Sequence, residues 1–240
     1  LVFHDLTRLR ELEGARQEFV ANVSHELRTP LSLIKGAAET LLDGAKADPA
    51  ALERLLSIVD RQADRLTLLI DDLLLLAKLD SGRIELRLET APLHAAVQEV
   101  FGDLAKRAEG RNVRLENQVP SGLAAHADPN RLRQVLSNLV DNGIKYGRAG
   151  GQLTVTGRSI GNSRIELCVR DDGPGIPPES LSRVFERFYR VDKARSREQG
   201  GTGLGLAIVK HVVQSHGGQV RVESEPGQGA AFYFTLPAAE

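Results

Sequence analysis

The string His25-Glu26-Leu27-Arg28-Thr29-Pro30-Leu31 sets an imidazole beside a carboxylate. Val20, Val23, Leu27 and Ile34 recur at helical spacing around it. His25 lies two residues from Val23 and from Leu27, so at about 100° per residue its ring points to the wet side of that helix. An imidazole placed there is available as a nucleophile, and Glu26 can take the ring proton or orient the ring. A lone surface histidine is usually passive, but the adjoining Glu, Arg, Thr and Pro make a long and specific string. Thr29 follows His25 by about one turn on the same face. Its hydroxyl either positions a water or bonds a backbone carbonyl beside Pro30.

Four further clusters carry chemistry. Gln134, Asn138, Asn142 and Lys145 are spaced four, four and three, which puts them on one helical face. Asn carbonyls are hard ligands suited to Mg²⁺, and a Lys ammonium suits phosphate. Such a face is ordinarily just solvated, yet two Asn in a helix interior are poor choices on propensity. Asp171-Asp172-Gly173-Pro174-Gly175-Ile176-Pro177 ends a strand, where a carboxylate can accept a hydrogen bond from an exocyclic amine; alone it reads equally well as a turn. Gly200-Gly201-Thr202-Gly203-Leu204-Gly205-Leu206 opens a helix, whose free N–H groups favour an anion. It is neither a Walker A loop nor a Rossmann turn. Between these two, Phe185-Glu186-Arg187-Phe188-Tyr189-Arg190 precedes Lys193, Arg195 and Arg197 and reads as a movable lid over phosphates, or as a solvated charged loop.

The elements that must position these groups fall into two halves. Leu52, Leu56, Val59, Ala63, Leu66, Ile70, Leu73 and Ala77 form a seam of alternating fours and threes that Ser81-Gly82 stops. With the helix around His25, kinked at Pro30, this predicts a helical hairpin turning between Asp43-Gly44 and Asp48-Pro49. One hairpin has more apolar surface than it can bury alone, so a homodimer forming a four-helix bundle is expected. The second half mixes strands and helices. Strands are predicted at 84–88, 113–117, 123–127, 152–158, 164–170, 219–224 and 230–236. Helices are predicted from Pro92 to about Ala108, from Asp128-Pro129 onward with Leu132, Val135, Leu136, Leu139, Val140 and Ile144 inward, and from about Thr202 to Ser215. The fold class is therefore α plus α/β: a dimeric hairpin followed by an α/β sandwich.

Composition agrees with two soluble units. Of 240 residues, 41% are hydrophobic and 26% charged, enough for real cores. Lys and Arg number 31 against 32 Asp and Glu, a net charge of -1 that argues against nucleic-acid binding. Cys168 is the sole cysteine, which excludes a disulfide framework and a cysteine-rich zinc site; its alternating apolar run reads as a core thiol. No apolar run reaches the length of a membrane span. A chain that begins at Leu1 and has no Met is expected to be a piece of something longer.

In order and spacing, the five clusters resemble the transmitter region of sensor histidine kinases across about residues 10–237. They match that family's H, N, G1, F and G2 boxes, and the second half resembles the Bergerat, or GHKL, type of ATPase. The resemblance implies a linker over residues 1–15, a dimerisation and phosphotransfer hairpin over 16–82, and a catalytic and ATP-binding domain over 83–240. Residues 1–7 resemble the last strand of a PAS sensor feeding a signalling helix. The resemblance further implies that His25 attacks the γ-phosphate of ATP, with Glu26 as base or orienting carboxylate. Asn142 would ligate Mg²⁺ with Asn138 beside it, and Lys145 and Tyr146 would approach the nucleotide. Asp171 would recognise the adenine amine. Gly173, Gly175, Gly201, Thr202, Gly203, Leu204 and Gly205 would shape the pocket and lid, and Arg190 would contact the γ-phosphate. The phosphoryl group would pass to an aspartate of a response regulator, and Thr29 would assist its later removal. The chain would work in the cytoplasm, with any membrane anchor upstream. Two departures stand out: Gly143 where Ala is frequent, and Gly147 where Ser or Thr is frequent.

Two other function classes compete. A GHKL-type ATPase without phosphotransfer would lack the His25 string on a dimeric hairpin. A non-catalytic dimer scaffold would have lost His25, Asn142 or the glycines of 201–205.

Overall fold

The computed structural model describes residues 7–81, 85–161, 163–192 and 201–239. Residues 1–6 of the expected opening strand, Gly82, Ile84, Gly200 and the basic residues Lys193, Arg195 and Arg197 lie outside them, and Thr7 begins a helix. The chain divides into two compact units, Leu1–Leu73 and Leu74–Glu240.

Helix α1 (Thr7–Leu42) runs through Pro30, and α2 (Pro49–Asp80) returns after a short 3-10 turn at Ala45–Ala47. Gly44 makes the reversal with φ of 118°, a conformation that glycine enters without a Cβ penalty. In α1 the residues turned inward include Pro30 and Ala37; in the first unit's part of α2 they include Leu55 and Leu69. The expected seam is therefore split. Its members Leu56 and Ile70 are 51% and 46% exposed, whereas their neighbours Leu55 and Leu69 are buried. One stripe of α2 serves the chain's own hairpin, and the adjoining stripe stays open. An open groove lined by Leu56, Val59 and Ala63 marks the second stripe. Among the described residues, no helix is long and apolar enough to cross a membrane.

The second unit is an α/β sandwich. A five-stranded sheet has the order β2-β4-β5-β7-β6, built from β2 (Arg114–Gln118), β4 (Gln152–Ile160), β5 (Arg164–Asp171), β6 (Val220–Ser224) and β7 (Ala230–Pro237). The pair β2–β4 is parallel and the other pairs are antiparallel. Helices α3 (Leu93–Glu109), α4 (Pro129–Tyr146) and α6 (Gly205–Ser215) form the second layer, and α5 (Pro178–Leu181) is a single turn. The core lies between the layers. Leu136, Leu139 and Ile144 of α4 and Ile208 and Val213 of α6 are almost fully buried, as are Leu153, Leu167 and Phe234 of the sheet. Cys168 is a buried free thiol, which desolvation pushes above its ordinary pKa.

One predicted strand is displaced. Residues 85–88 form no strand, and β1 is instead Glu89–Pro92, antiparallel to β3 (Ala124–Ala127) with Glu89 opposite Ala127. The alternation seen from Ile84 to Leu88 set no edges of its own; pairing with β3 decides the position. The start of α4 follows local rules. Asp128 accepts from the Arg131 N–H at 3.1 Å as N-cap, and Pro129 occupies the first turn. The other Asp128 oxygen accepts from the Arg87 N–H at 3.0 Å, tying the segment before β1 to this helix.

Candidate active site

The residues singled out in the sequence gather into two groups, one in each unit. On α1, His25 and Thr29 are exposed and Glu26 is half-buried. Glu26 lies 3.6 Å from Arg65 of α2, with the two side chains only 15% and 14% exposed. The carboxylate beside the imidazole is thus held by a cation from the facing helix. Thr29 Oγ1 donates to the His25 carbonyl at 3.2 Å, which occupies its hydrogen and leaves the oxygen able to accept. Sequence reasoning missed Arg65, because only the antiparallel return of α2 brings it level with Glu26.

In the second unit, α4 presents Asn138, Asn142, Lys145 and Tyr146 at half-buried positions. Gln134, on the same face, has its carbonyl taken by Arg131 at 3.1 Å. A Cβ at Gly205, the first residue of α6, would stand 3.3 Å from Asn138 Oδ1, so the start of α6 abuts the α4 face. Among the described residues, Asn138 Nδ2 is buried with no hydrogen-bond partner. Buried amide groups are almost always paired, so this one is open to a further partner.

Asp171 ends β5 next to that face. Its Oδ1 accepts from the Gly173 N–H at 2.9 Å. Burial pushes its carboxyl above the ordinary Asp value, with Asp172 adding to the rise and the Gly173 N–H opposing it. Gly175 has φ of 75° and Gly203 φ of 73°, and a Cβ at either would press on backbone, at Glu225 O (2.2 Å) and Phe188 Cα (2.9 Å) respectively. At Gly147 a Cβ would meet the Gly143 carbonyl at 2.4 Å, so this backbone takes glycine where a hydroxyl residue is frequent. At Gly143 a Cβ would meet the end of the Leu153 side chain, which would have to shift to admit it.

The segment between these loops is anchored at its near end. The Phe185 ring packs edge-on against Phe232 of the sheet, centroids 6.3 Å apart. Tyr189 donates its hydroxyl hydrogen to Ser180 Oγ at 2.9 Å, and the Arg183 guanidinium lies 4.4 Å over the Tyr189 ring. Phe188 has φ of 62°, an unusual state for a bulky residue, and its N–H donates to the Gly203 carbonyl at 2.8 Å. Arg190 Nη2 donates to the Gly201 carbonyl at 2.6 Å. Thr202 Oγ1 accepts from the Leu204 N–H at 3.2 Å, and Leu204 is fully buried as the N-cap of α6. Strand end, aromatic segment and glycine loop therefore converge on the polar face of α4.

Lys145 is not alone on that face. Its Nζ lies 2.7 Å from Asp141 Oδ2, and Arg107 of α3 donates to Asp141 Oδ1. The i,i+4 pairing of Asp141 with Lys145 was legible in the sequence; the Arg107 contact depends on how α3 packs on α4.

Known proteins match this arrangement. Residues 127–240 match the family described as Histidine kinase-, DNA gyrase B-, and HSP90-like ATPase, and residues 15–82 match the His Kinase A (phospho-acceptor) domain. Sensor protein SrrB of Staphylococcus aureus is 36% identical over 236 residues, covering 98% of this chain and 40% of SrrB. This chain thus spans well under half the length of that curated relative. Full-length ShkA, solved in complex with AMPPNP, superposes with a TM-score of 0.70 at 33% identity, over 92% of this chain and 46% of ShkA. The mycobacterial sensor histidine kinase MprB superposes with a TM-score of 0.55 at 32% identity, over 63% of this chain and 97% of that one. With a phosphoacceptor hairpin, an ATPase sandwich and these relatives, the chain belongs to the sensor histidine kinase family.

Proposed function

We propose that this chain phosphorylates itself on His25 with ATP and passes the phosphoryl group to an aspartate of a response regulator. The observation that carries the reading is the exposed His25 imidazole beside a carboxylate that Arg65 already holds in place. A ring nitrogen of His25 attacks the γ-phosphorus, the bond to the bridging oxygen breaks, and ADP leaves. The ring proton goes to Glu26.

In the ATP site, Asp171 accepts from the adenine amine, Lys145 and Tyr146 approach the nucleotide with the Lys145 ammonium suited to its phosphates, Arg190 contacts the γ-phosphate, and Gly173, Gly175, Gly201, Thr202, Gly203, Leu204 and Gly205 shape the pocket. Mg²⁺ fits the donor set, because this ion is commonly held by one or two protein oxygens together with phosphates. Asn142 would supply the protein oxygen, and the unpartnered Asn138 amide a hydrogen bond to the nucleotide. When bound, the ion neutralises charge on the phosphates.

The same reading takes residues 1–15 as linker, 16–82 as dimerisation and phosphotransfer hairpin and 83–240 as catalytic domain. The open stripe of Leu56 and Ile70 supports a homodimer, each hairpin supplying half of a four-helix bundle. The chain works on the cytoplasmic side, and a membrane attachment, where one exists, comes from upstream. Two variants test the division of labour. His25→Ala should abolish self-labelling while a fluorescent ATP analogue still binds, and Asn142→Ala should stop labelling with the fold intact. A fully active Asn142→Ala protein would overturn the metal assignment, and loss of analogue binding in His25→Ala would overturn the division.

A further inference from the structure

The nucleotide reading leaves unexplained why Lys145, a phosphate-seeking cation, stands 2.7 Å from a carboxylate. On α4, Lys145 sits about 20° from Asn138 around the helix axis and Asp141 about 60°, to the same side. Asp141 therefore flanks the ligand-facing stripe without lying on it. Both side chains of the pair are mostly shielded, at 19% and 20% exposure, so this is not an ordinary solvated surface pair. The second Asp141 oxygen accepts from Arg107, in the last turn of α3, whose own side chain is half exposed. One carboxylate thus takes a cation on each oxygen. Nearby, Arg111 donates to the carbonyls of Lys145 and Gly147, fixing the end of α4 from which Lys145 projects.

We propose that Asp141, clamped by Arg107, is a positioning residue that aims the Lys145 ammonium at the nucleotide phosphates. The inference rests on the nucleotide reading given above. A lysine has three N–H donors and a flexible stem. Spending one donor on a fixed carboxylate orders the stem before the ligand arrives and leaves two donors for phosphate oxygens. Arg107 matters because it shares the carboxylate's charge. The trio carries a net single positive charge, whereas Asp141 and Lys145 alone would cancel and attract no phosphate. Arg107 does not touch the ligand in this scheme; it acts through Asp141.

The test is a double-mutant cycle on the full chain, reading affinity for an ATP analogue and, separately, kcat and KM for self-labelling. Asp141→Asn should weaken nucleotide binding about tenfold, the scale of one charge-assisted contact, and raise KM with kcat little changed. Arg107→Gln should act in the same direction by a smaller factor. In a Lys145→Ala background, Asp141→Asn should have no further effect, because its only route to the ligand is gone. Unaltered or tighter binding by Asp141→Asn overturns the proposal, and tighter binding would make the carboxylate a competitor of the phosphates. An equal loss in the Lys145→Ala background also overturns it, assigning Asp141 a role in helix packing. If Lys145→Ala itself binds nucleotide normally, the nucleotide reading of this face fails first, and the positioning role falls with it.

Discussion

The Thr29 hydroxyl donates to the carbonyl of His25, one turn back on the same exposed face of α1, at 3.2 Å. The bond commits the hydroxyl hydrogen and leaves the oxygen lone pairs pointing outward as acceptors. An oxygen so fixed can orient a water by accepting one of its hydrogens, with the water's own oxygen free to attack a phospho-aspartate docked against the helix. Thr29→Ala is expected to slow dephosphorylation of a partner regulator while self-labelling of His25 largely survives. Following release of inorganic phosphate from the phosphorylated regulator checks this. A rate equal to that of the unmodified protein removes Thr29 from the step, and an equal loss of both activities points to a damaged helix beside Pro30.

Asp171 supplies a pH dependence. Its carboxyl is raised above the ordinary Asp value, mainly by burial, so the folded protein binds a proton there more readily than an unfolded chain does. Ionised Asp171 accepts a hydrogen bond from an amine, and protonated Asp171 accepts it poorly. Affinity for an ATP analogue should therefore hold above the raised pKa and fall as pH drops through it, at a higher pH than an ordinary aspartate would give. Folding stability shifts the other way: the cost of burying the charge is felt above the folded pKa and relieved as pH falls below it. Asp171→Asn should bind adenine nucleotide weakly and lose this limb of the profile. A pH profile unchanged by Asp171→Asn would contradict the assignment.

The two stripes of α2 should respond differently to charge. Leu69 is 2% exposed within the single chain, so Leu69→Glu should unfold the hairpin at a cost of several kcal/mol. Leu56 is half exposed, so Leu56→Glu should spare the hairpin's helicity and dissociate the dimer. Circular dichroism and light scattering separate the outcomes. A Leu56→Glu protein that stays dimeric at micromolar concentration would contradict use of the open stripe as the dimer seam.

What could be read from the sequence follows the range of the forces involved. Asp128-Pro129 announced the start of α4 because an N-cap and a first-turn proline are local devices, and the amphipathic face of α4 followed from its own spacing. The five chemical clusters were visible because each is contiguous or lies on one helix. The strand expected at 84–88 was misplaced because β1 exists through pairing with β3, some 35 residues downstream, and Glu89-Thr90-Ala91-Pro92 has no strand pattern of its own. Within α2, spacing alone could not tell which apolar stripe meets α1 and which stays open; Leu55 and Leu56 are both leucines one residue apart. Arg65 beside Glu26 and Arg107 beside Asp141 were hidden for the same reason, since each joins two helices across a packed interface.

Incubating the chain with γ-labelled ATP and Mg²⁺ and mapping the label tests His25 as the phosphoacceptor. A phosphoryl group on an imidazole nitrogen is labile to acid and stable to base. A label with that behaviour is expected, located on His25 and absent from His25→Ala. Hydrolysis of ATP with no label on the protein, or an acid-stable label on another residue, would contradict it.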